Sequence, residues 1–247
     1  MLVISAQAVQ LCLGKAALFN LDAWVSTEDR IEGMQRQEWL DLLKQQRVLA
    51  VIRAPSQEAG YQMATAVRQG GLRLIEITWN TPQAAALVER LRCDLGDCWI
   101  GAGTLLTEAA LKDAIAAGAQ FGFSPHTNAH LIQLAQNQAL PFVPGALTPT
   151  EIALAWHSGA SGVKVFPINA AGGATYLNSL RGPLGHIPLI PTGGVRMENA
   201  SELLQAGAIA IGLSSSLFPP QLIKSQHWGI VSERVRQLLQ TIQPFMG

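Results

Sequence analysis

From Arg47 onward the chain alternates between two kinds of hydrophobic pattern. Short, nearly continuous apolar runs recur as "RVLAVIRA", "LRLIEITW", "CWIGAGT", "AQFGFSP", "LPFVPGA", "SGVKVFPI", "IPLIPTGG" and "AIAIGLSSSL". An amphipathic or alanine-rich stretch follows each of them. Runs that are apolar at successive positions predict strands covered on both faces, and strands alternating with helices predict parallel pairing. Eight such units in 247 residues predict a (β/α)₈ barrel of the TIM type, with an open doubly wound sheet as the second architecture.

The punctuation between runs agrees. Thr107 stands before "EAALKDAIAAGA" and Thr148 before "PTEIALAWHSGA", each an N-cap by type. The second adds Pro149 at the first helical position and Glu151 three residues after the cap. Gly118, Gly159 and Gly207 close helices just before strands, where a left-handed residue is wanted. The first 33 residues fit no unit and read as an appendage, leaving residues 34–247 as one barrel domain. Met34 opens a second possible start, "MQRQEWLDLLKQQ", with apolar residues at helical spacing.

Composition narrows the partners. Seventeen basic and seventeen acidic residues give zero net charge, so no basic surface marks a nucleic-acid reader. Lys15 and Asp22 interrupt the apolar N-terminus, no basic segment precedes it, and no run approaches the roughly 20 residues of a membrane span. Cys12, Cys93 and Cys98 are an odd, sparse set that fits a reducing, cytoplasmic setting better than a disulfide framework. No histidine among His126, His130, His157, His186 and His227 forms a helical pair or triad with carboxylates at metal-ligand spacing.

Polar residues inside the apolar runs carry the chemistry. Arg53, Glu76, Thr104, Ser124, Lys164, Thr192 and Ser214 all fall late in their runs, at the end where barrel enzymes place active sites. Each alone reads as a loop-anchoring side chain; seven on one rim read as a site. Strand alternation puts Gly162, Lys164 and Phe166 on one face, and Leu74, Glu76 and Thr78 on another. If those faces line the barrel, desolvation disfavours the ammonium of Lys164 and frees its amine as a nucleophile toward carbonyl carbon. A buried Lys164–Glu76 ion pair without chemistry is the alternative.

The last two runs suggest an anion. "PTGG", with Gly193 and Gly194, and "GLSSS", with Ser214, are loops whose backbone amides can approach a phosphate, as barrels often arrange after strands seven and eight. Ordinary tight turns would use the same residues. Arg53 offers a guanidinium fork for a carboxylate or phosphate, and Gly101 and Gly103 leave backbone open beside Thr104.

Taken together, "VIRA", "IEITWNTP", "GAGT", "SPH", "VPGALTPTE", "VKVFPIN" and "PTGG" resemble the class I 2-keto-3-deoxy-6-phosphogluconate (KDPG) aldolases, some of which also cleave 4-hydroxy-2-oxoglutarate. The resemblance runs from about Gln46 to Leu217 in the family's motif order. It implies that Lys164 forms a Schiff base and Glu76 is the acid/base. It further implies that Arg53 and Thr104 bind the keto-acid carboxylate, that Gly193, Gly194 and Ser214 contact phosphate, and that Gly103, Pro125 and Phe166 complete the substrate site. A small-molecule keto acid, a homotrimer, and no cofactor or metal follow from the same resemblance. The rivals are a sugar-phosphate isomerase on the same barrel and a binding protein that lost the chemistry.

Two departures bear on substrate. Asn80 stands where some KDPG-specific members carry an arginine and where the related phosphogalactonate aldolases carry asparagine. Leu213 replaces the second glycine of the usual "G-x-G-S". A Leu213 side chain turned toward the rim would favour an unphosphorylated substrate such as 4-hydroxy-2-oxoglutarate; one turned away would preserve the phosphate site.

Overall fold

The structure is a computed structural model that describes residues 33–246. The appendage expected over residues 1–33 therefore lies outside the described residues, apart from Gly33, which opens the first helix. In chain order the elements are α1 Gly33–Gln46, β1 Val48–Ile52, α2 Gln57–Gln69, β2 Leu74–Thr78, α3 Ala84–Asp94, β3 Trp99–Gly103, α4 Glu108–Ala116, β4 Gly122–Phe123 and α5 Ala129–Asn137. The second half continues with β5 Phe142–Val143, β6 Gly145–Ala146, α6 Pro149–His157, β7 Val163–Val165, α7 Ile168–Ala171, α8 Ala174–Leu184, β8 Leu189–Pro191, α9 Ala200–Gln205, β9 Ile211–Leu213, α10 Pro220–Lys224 and α11 Trp228–Ile242.

Every strand pair is parallel, in the orders β5-β4-β3-β2-β1-β9 and β6-β7-β8. The two arcs close into a ring. At one join, β5 and β6 are halves of a single strand parted by Pro144, which has no N–H for a ladder, so the lower half pairs β4 and the upper half pairs β7. At the other, a Thr192–Gly212 bridge and the Ile209 N–H to Leu189 carbonyl bond (3.0 Å) link β8 to β9. All eight apolar runs thus become staves of one (β/α)₈ barrel.

Helix ends form where local chemistry demands. The Thr148 side chain accepts from the Glu151 amide while the Glu151 carboxylate accepts from the Thr148 amide, with Pro149 in the first turn. Thr107 caps α4 through the Ala110 amide. Gly118, Gly159 and Gly207 take φ of +85°, +95° and +97°, the left-handed closure their positions require.

Register fixes which residues look into the barrel. Glu76 is level with Val51 on one side and Gly101 on the other, Leu49 is level with Gly212, and Lys164 is level with Gly145 and Ile190. Registered residues of a parallel ladder share a face, so these positions, and every second residue from them, point inward. The lower interior is aromatic. Phe121 stacks on Trp39 of α1 at 5.0 Å between ring centres and meets Phe123 edge-on at 5.8 Å. Helix α1 is held there by Arg36, which donates to the Ala160 carbonyl (2.9 Å) and lies over the Trp156 ring. The upper interior is polar, and it forms the site.

Candidate active site

Strands β2 and β7 deliver the two ionisable side chains. Glu76 is 1% exposed and Lys164 is 6% exposed, so burial disfavours the charged form of each. Neither carboxylate oxygen of Glu76 finds a hydrogen-bond partner among the described residues, and it makes no direct bond to Lys164. Burial pushes the Glu76 carboxyl above the ordinary 4.5, while the nearby positive charges of Lys164 and Arg53 pull it down with less effect. A carboxyl buried without hydrogen bonds to the described residues is costly to keep, which makes Glu76 a candidate for chemistry. The Lys164 Nζ lies 4.8 Å from the centre of the Phe166 ring, a cation–π distance.

Glycine makes this arrangement possible. A Cβ built on Gly103 would overlap the Glu76 carboxyl itself. On the strand beside Lys164, Gly145, level with it, leaves room for the Pro125 carbonyl and the His126 amide. Gly193 and Gly194 take φ of +82° and +85°, a double left-handed turn that L side chains rarely adopt. A Cβ on the first would strike the Phe166 ring and one on the second Asn169, so the turn packs directly against the segment that follows the lysine's strand.

The remaining rim residues divide. Arg53, just past the end of β1, is exposed and close enough to Glu76 to act on its charge. Thr104, just past β3, sits at φ +59°, a conformation that costs a β-branched residue about 1–3 kcal/mol. Two backbone bonds hold it, Trp79 N–H to Gly103 carbonyl (2.7 Å) before and Leu105 N–H to Phe123 carbonyl (3.1 Å) after. Pro125 and Ser214 are half-buried at the same end. Thr192 points inward and faces Gly212, where a Cβ would meet its hydroxyl.

Ser124 departs from the expected set. It follows inward-facing Phe123, so it turns outward, and its hydroxyl donates to the His126 carbonyl at 2.7 Å. It anchors a turn and does not join the site. Leu213 is fully buried and, next to inward-facing Gly212, points toward the helices, so it adds no bulk at the rim. Asn80 is exposed on the turn after β2. Thr81, unremarked in the sequence because threonine in a turn looks ordinary, is 3% exposed and bonds across to the segment after β1.

Among the described residues, no three His, Cys, Asp or Glu side chains are grouped to hold a metal ion, and no helix is long and apolar enough to cross a membrane. His126 is exposed, and His130 spends its Nε2 on Glu108 at 2.7 Å.

The comparisons with known proteins meet this geometry. The family model for KDPG and KHG aldolase matches residues 40–234. The 2-dehydro-3-deoxy-phosphogluconate aldolase of Haemophilus influenzae is 30% identical over 84% of this chain and 98% of its own length. That of Treponema pallidum is 32% identical over 82% and 96%. Among solved structures, KDPG aldolase from Legionella pneumophila, with pyruvate captured as a covalent carbinolamine, superposes with a TM-score of 0.76 at 30% identity, covering 81% of this chain and 97% of that one. The motifs, the closed barrel and the lysine–glutamate pair at its mouth converge with these matches on one conclusion: the chain belongs to the KDPG and KHG aldolase family, whose members are lyases.

Proposed function

We propose that the protein is a metal-independent Schiff-base aldolase that reversibly cleaves a phosphorylated 2-keto-4-hydroxy acid, of the KDPG type, to pyruvate and glyceraldehyde 3-phosphate. The observation that carries this reading is a lysine and a glutamate buried in the same barrel mouth, with both glutamate oxygens unpartnered among the described residues.

The route uses each group once per step. Lys164 Nζ, as free amine, adds to the C2 ketone, and loss of water from the carbinolamine leaves an iminium. Glu76, through a water, takes the C4 hydroxyl proton, the C3–C4 bond breaks, and its electron pair flows into the iminium to give an enamine and an aldehyde. Protonation of the enamine at C3 and hydrolysis release pyruvate and return Lys164. A carboxyl raised above its ordinary range is suited to accept a proton and give it back. Arg53 and Thr104 take the keto-acid carboxylate, and Pro125 and Phe166 line the path between.

Gly193, Gly194 and Ser214 take the phosphate. Leu213 supports this assignment, because its side chain turns away from the rim and leaves the approach open. Asn80 favours one second reading, a phosphogalactonate-type substrate epimeric at C4, since it carries the asparagine of that branch of the family. Turnover on both phosphorylated epimers and on 4-hydroxy-2-oxoglutarate separates these readings.

Borohydride reduction in the presence of pyruvate tests the imine directly. The expected result is a stable pyruvate adduct on Lys164, absent in Lys164→Met. Pyruvate binding without any adduct would favour a barrel isomerase that uses the lysine only as a charge.

A further inference from the structure

The ladder between β1 and β2 ends at Ile52–Ile77, one residue short of Arg53. Beyond that point two buried threonines take over. Thr78 Oγ1 donates to the Ile52 carbonyl at 3.2 Å, and the Ala54 amide donates to Thr81 Oγ1 at 3.2 Å. The two hydroxyls lie 3.4 Å apart.

Proton counting gives this chain a direction. Thr78 has one proton and spends it on Ile52, so between the two threonines it can only accept. Thr81 accepts from Ala54 and so has its own proton left to donate to Thr78. The result is an ordered relay, Ala54 N–H to Thr81 to Thr78 to Ile52 carbonyl, that grips the backbone on both sides of Arg53. The threonines are 1% and 3% exposed, so water does not compete with these bonds. Thr81 itself is fixed by its amide, which donates to the Thr78 carbonyl at 2.9 Å.

Arg53 needs such a grip. It is exposed, and among the described residues no group hydrogen-bonds its guanidinium, so its own side chain is not tied down. Its aim must come from the backbone that carries it. With Asn80 on the neighbouring turn in place of a second arginine, the carboxylate end of the substrate depends on this one cation.

We propose that Thr78 and Thr81 are positioning residues for Arg53, a hydroxyl clamp that sets the binding geometry of the keto-acid carboxylate without touching substrate. The proposal rests on the reading of Arg53 as the carboxylate's partner.

The test is steady-state kinetics on KDPG for Thr81→Val, Thr81→Ser, Arg53→Ala and the double variant Arg53→Ala/Thr81→Val. Thr81→Val should raise KM about tenfold with kcat within about threefold, because the loss is one of ground-state placement. Thr81→Ser, which keeps the hydroxyl, should restore KM. In the Arg53→Ala background the valine should add nothing, since there is no guanidinium left to aim. An unchanged KM in Thr81→Val, or a full further loss on top of Arg53→Ala, overturns the clamp. If Arg53→Ala alone leaves KM untouched, the role of Arg53 fails and the clamp with it, a result distinct from additivity. Should Thr81→Val fold poorly, Thr78→Val carries the same test, since valine suits a strand and removes the donor to Ile52.

Discussion

Gly101 and Gly103 lie two residues apart on β3 and face the same interior, yet they make room for different things. Above, Gly103 clears space for the Glu76 carboxyl; below, Gly101 clears space for the Phe121 ring. The ring belongs to an aromatic layer with Trp39 and Phe123 that has no polar demand except one indole N–H. The carboxyl belongs to a layer with Lys164 that carries a desolvation cost only partly offset by the charges of Lys164 and Arg53. One strand thus spans a floor that stabilises the barrel and a mouth that taxes it. Backbone strain does not follow the same division: Thr104 is left-handed at the upper end, but Arg47 (φ +57°) and Ala139 (φ +52°) are left-handed at the lower end, ahead of β1 and β5.

The comparison breaks most visibly at Glu76. On the proposed mechanism Glu76→Gln removes the proton acceptor and should lower kcat by about 10²- to 10⁴-fold, measured as pyruvate released from KDPG. The same change should stabilise the fold at neutral pH. In the native protein Glu76 holds its proton above the pH at which the unfolded chain has lost it, near 4.5. Native stability from this group is therefore whole below about 4.5 and falls as pH rises through the raised value. Denaturant titrations from pH 4 to 8 should show the variant's advantage growing with pH; a flat difference would mean the carboxylate is relieved by something else.

Gly103→Ala sharpens the contrast within the upper layer. The new methyl meets the far end of a flexible side chain, so the fold can yield by moving the carboxyl and not the backbone. A displaced base should cost about 10²-fold in kcat with little loss of stability. Combined with Glu76→Gln it should add almost nothing, because the group it displaces is already chemically absent. Additive losses would show that Gly103 acts on substrate directly, as the family resemblance allows.

How far the sequence discloses these layers depends on the range of the interaction concerned. The Thr148 capping box, the helix-closing glycines and the eight apolar runs are legible because each is decided within a few residues. Alternation likewise carries Lys164 to Gly162 and Phe166 along one strand. Crossing to another strand requires register, which no local pattern supplies. That is why Ser124 looks like a rim residue until Phe123 takes the inward position, and why the face of Leu213 is undecided until Leu49 is set level with Gly212. The break at Pro144 is visible only as a proline inside an apolar run, and its use, to divide one stave between two arcs, needs both neighbours. Thr104's left-handed backbone and Thr81's bond to Ala54, 27 residues away, leave no trace in composition at all.

Gly101→Ala completes the comparison from below, with the smallest effect of the three. Here the added methyl points at the Phe121 ring, which is held by Trp39 on one face and Phe123 at its edge. A ring so confined cannot swing aside as a carboxyl can, and overpacking of this kind costs about 1–3 kcal/mol. For a chain of this size each kcal/mol lowers Tm by about 2–4 °C. Calorimetry should therefore show a clear drop in Tm, while kcat on KDPG at 25 °C stays within about twofold, because distortion of the aromatic floor need not move Glu76 in its seat above Gly103. If instead kcat falls and Tm holds, the two layers are mechanically one, and the mouth takes its geometry from the floor beneath it.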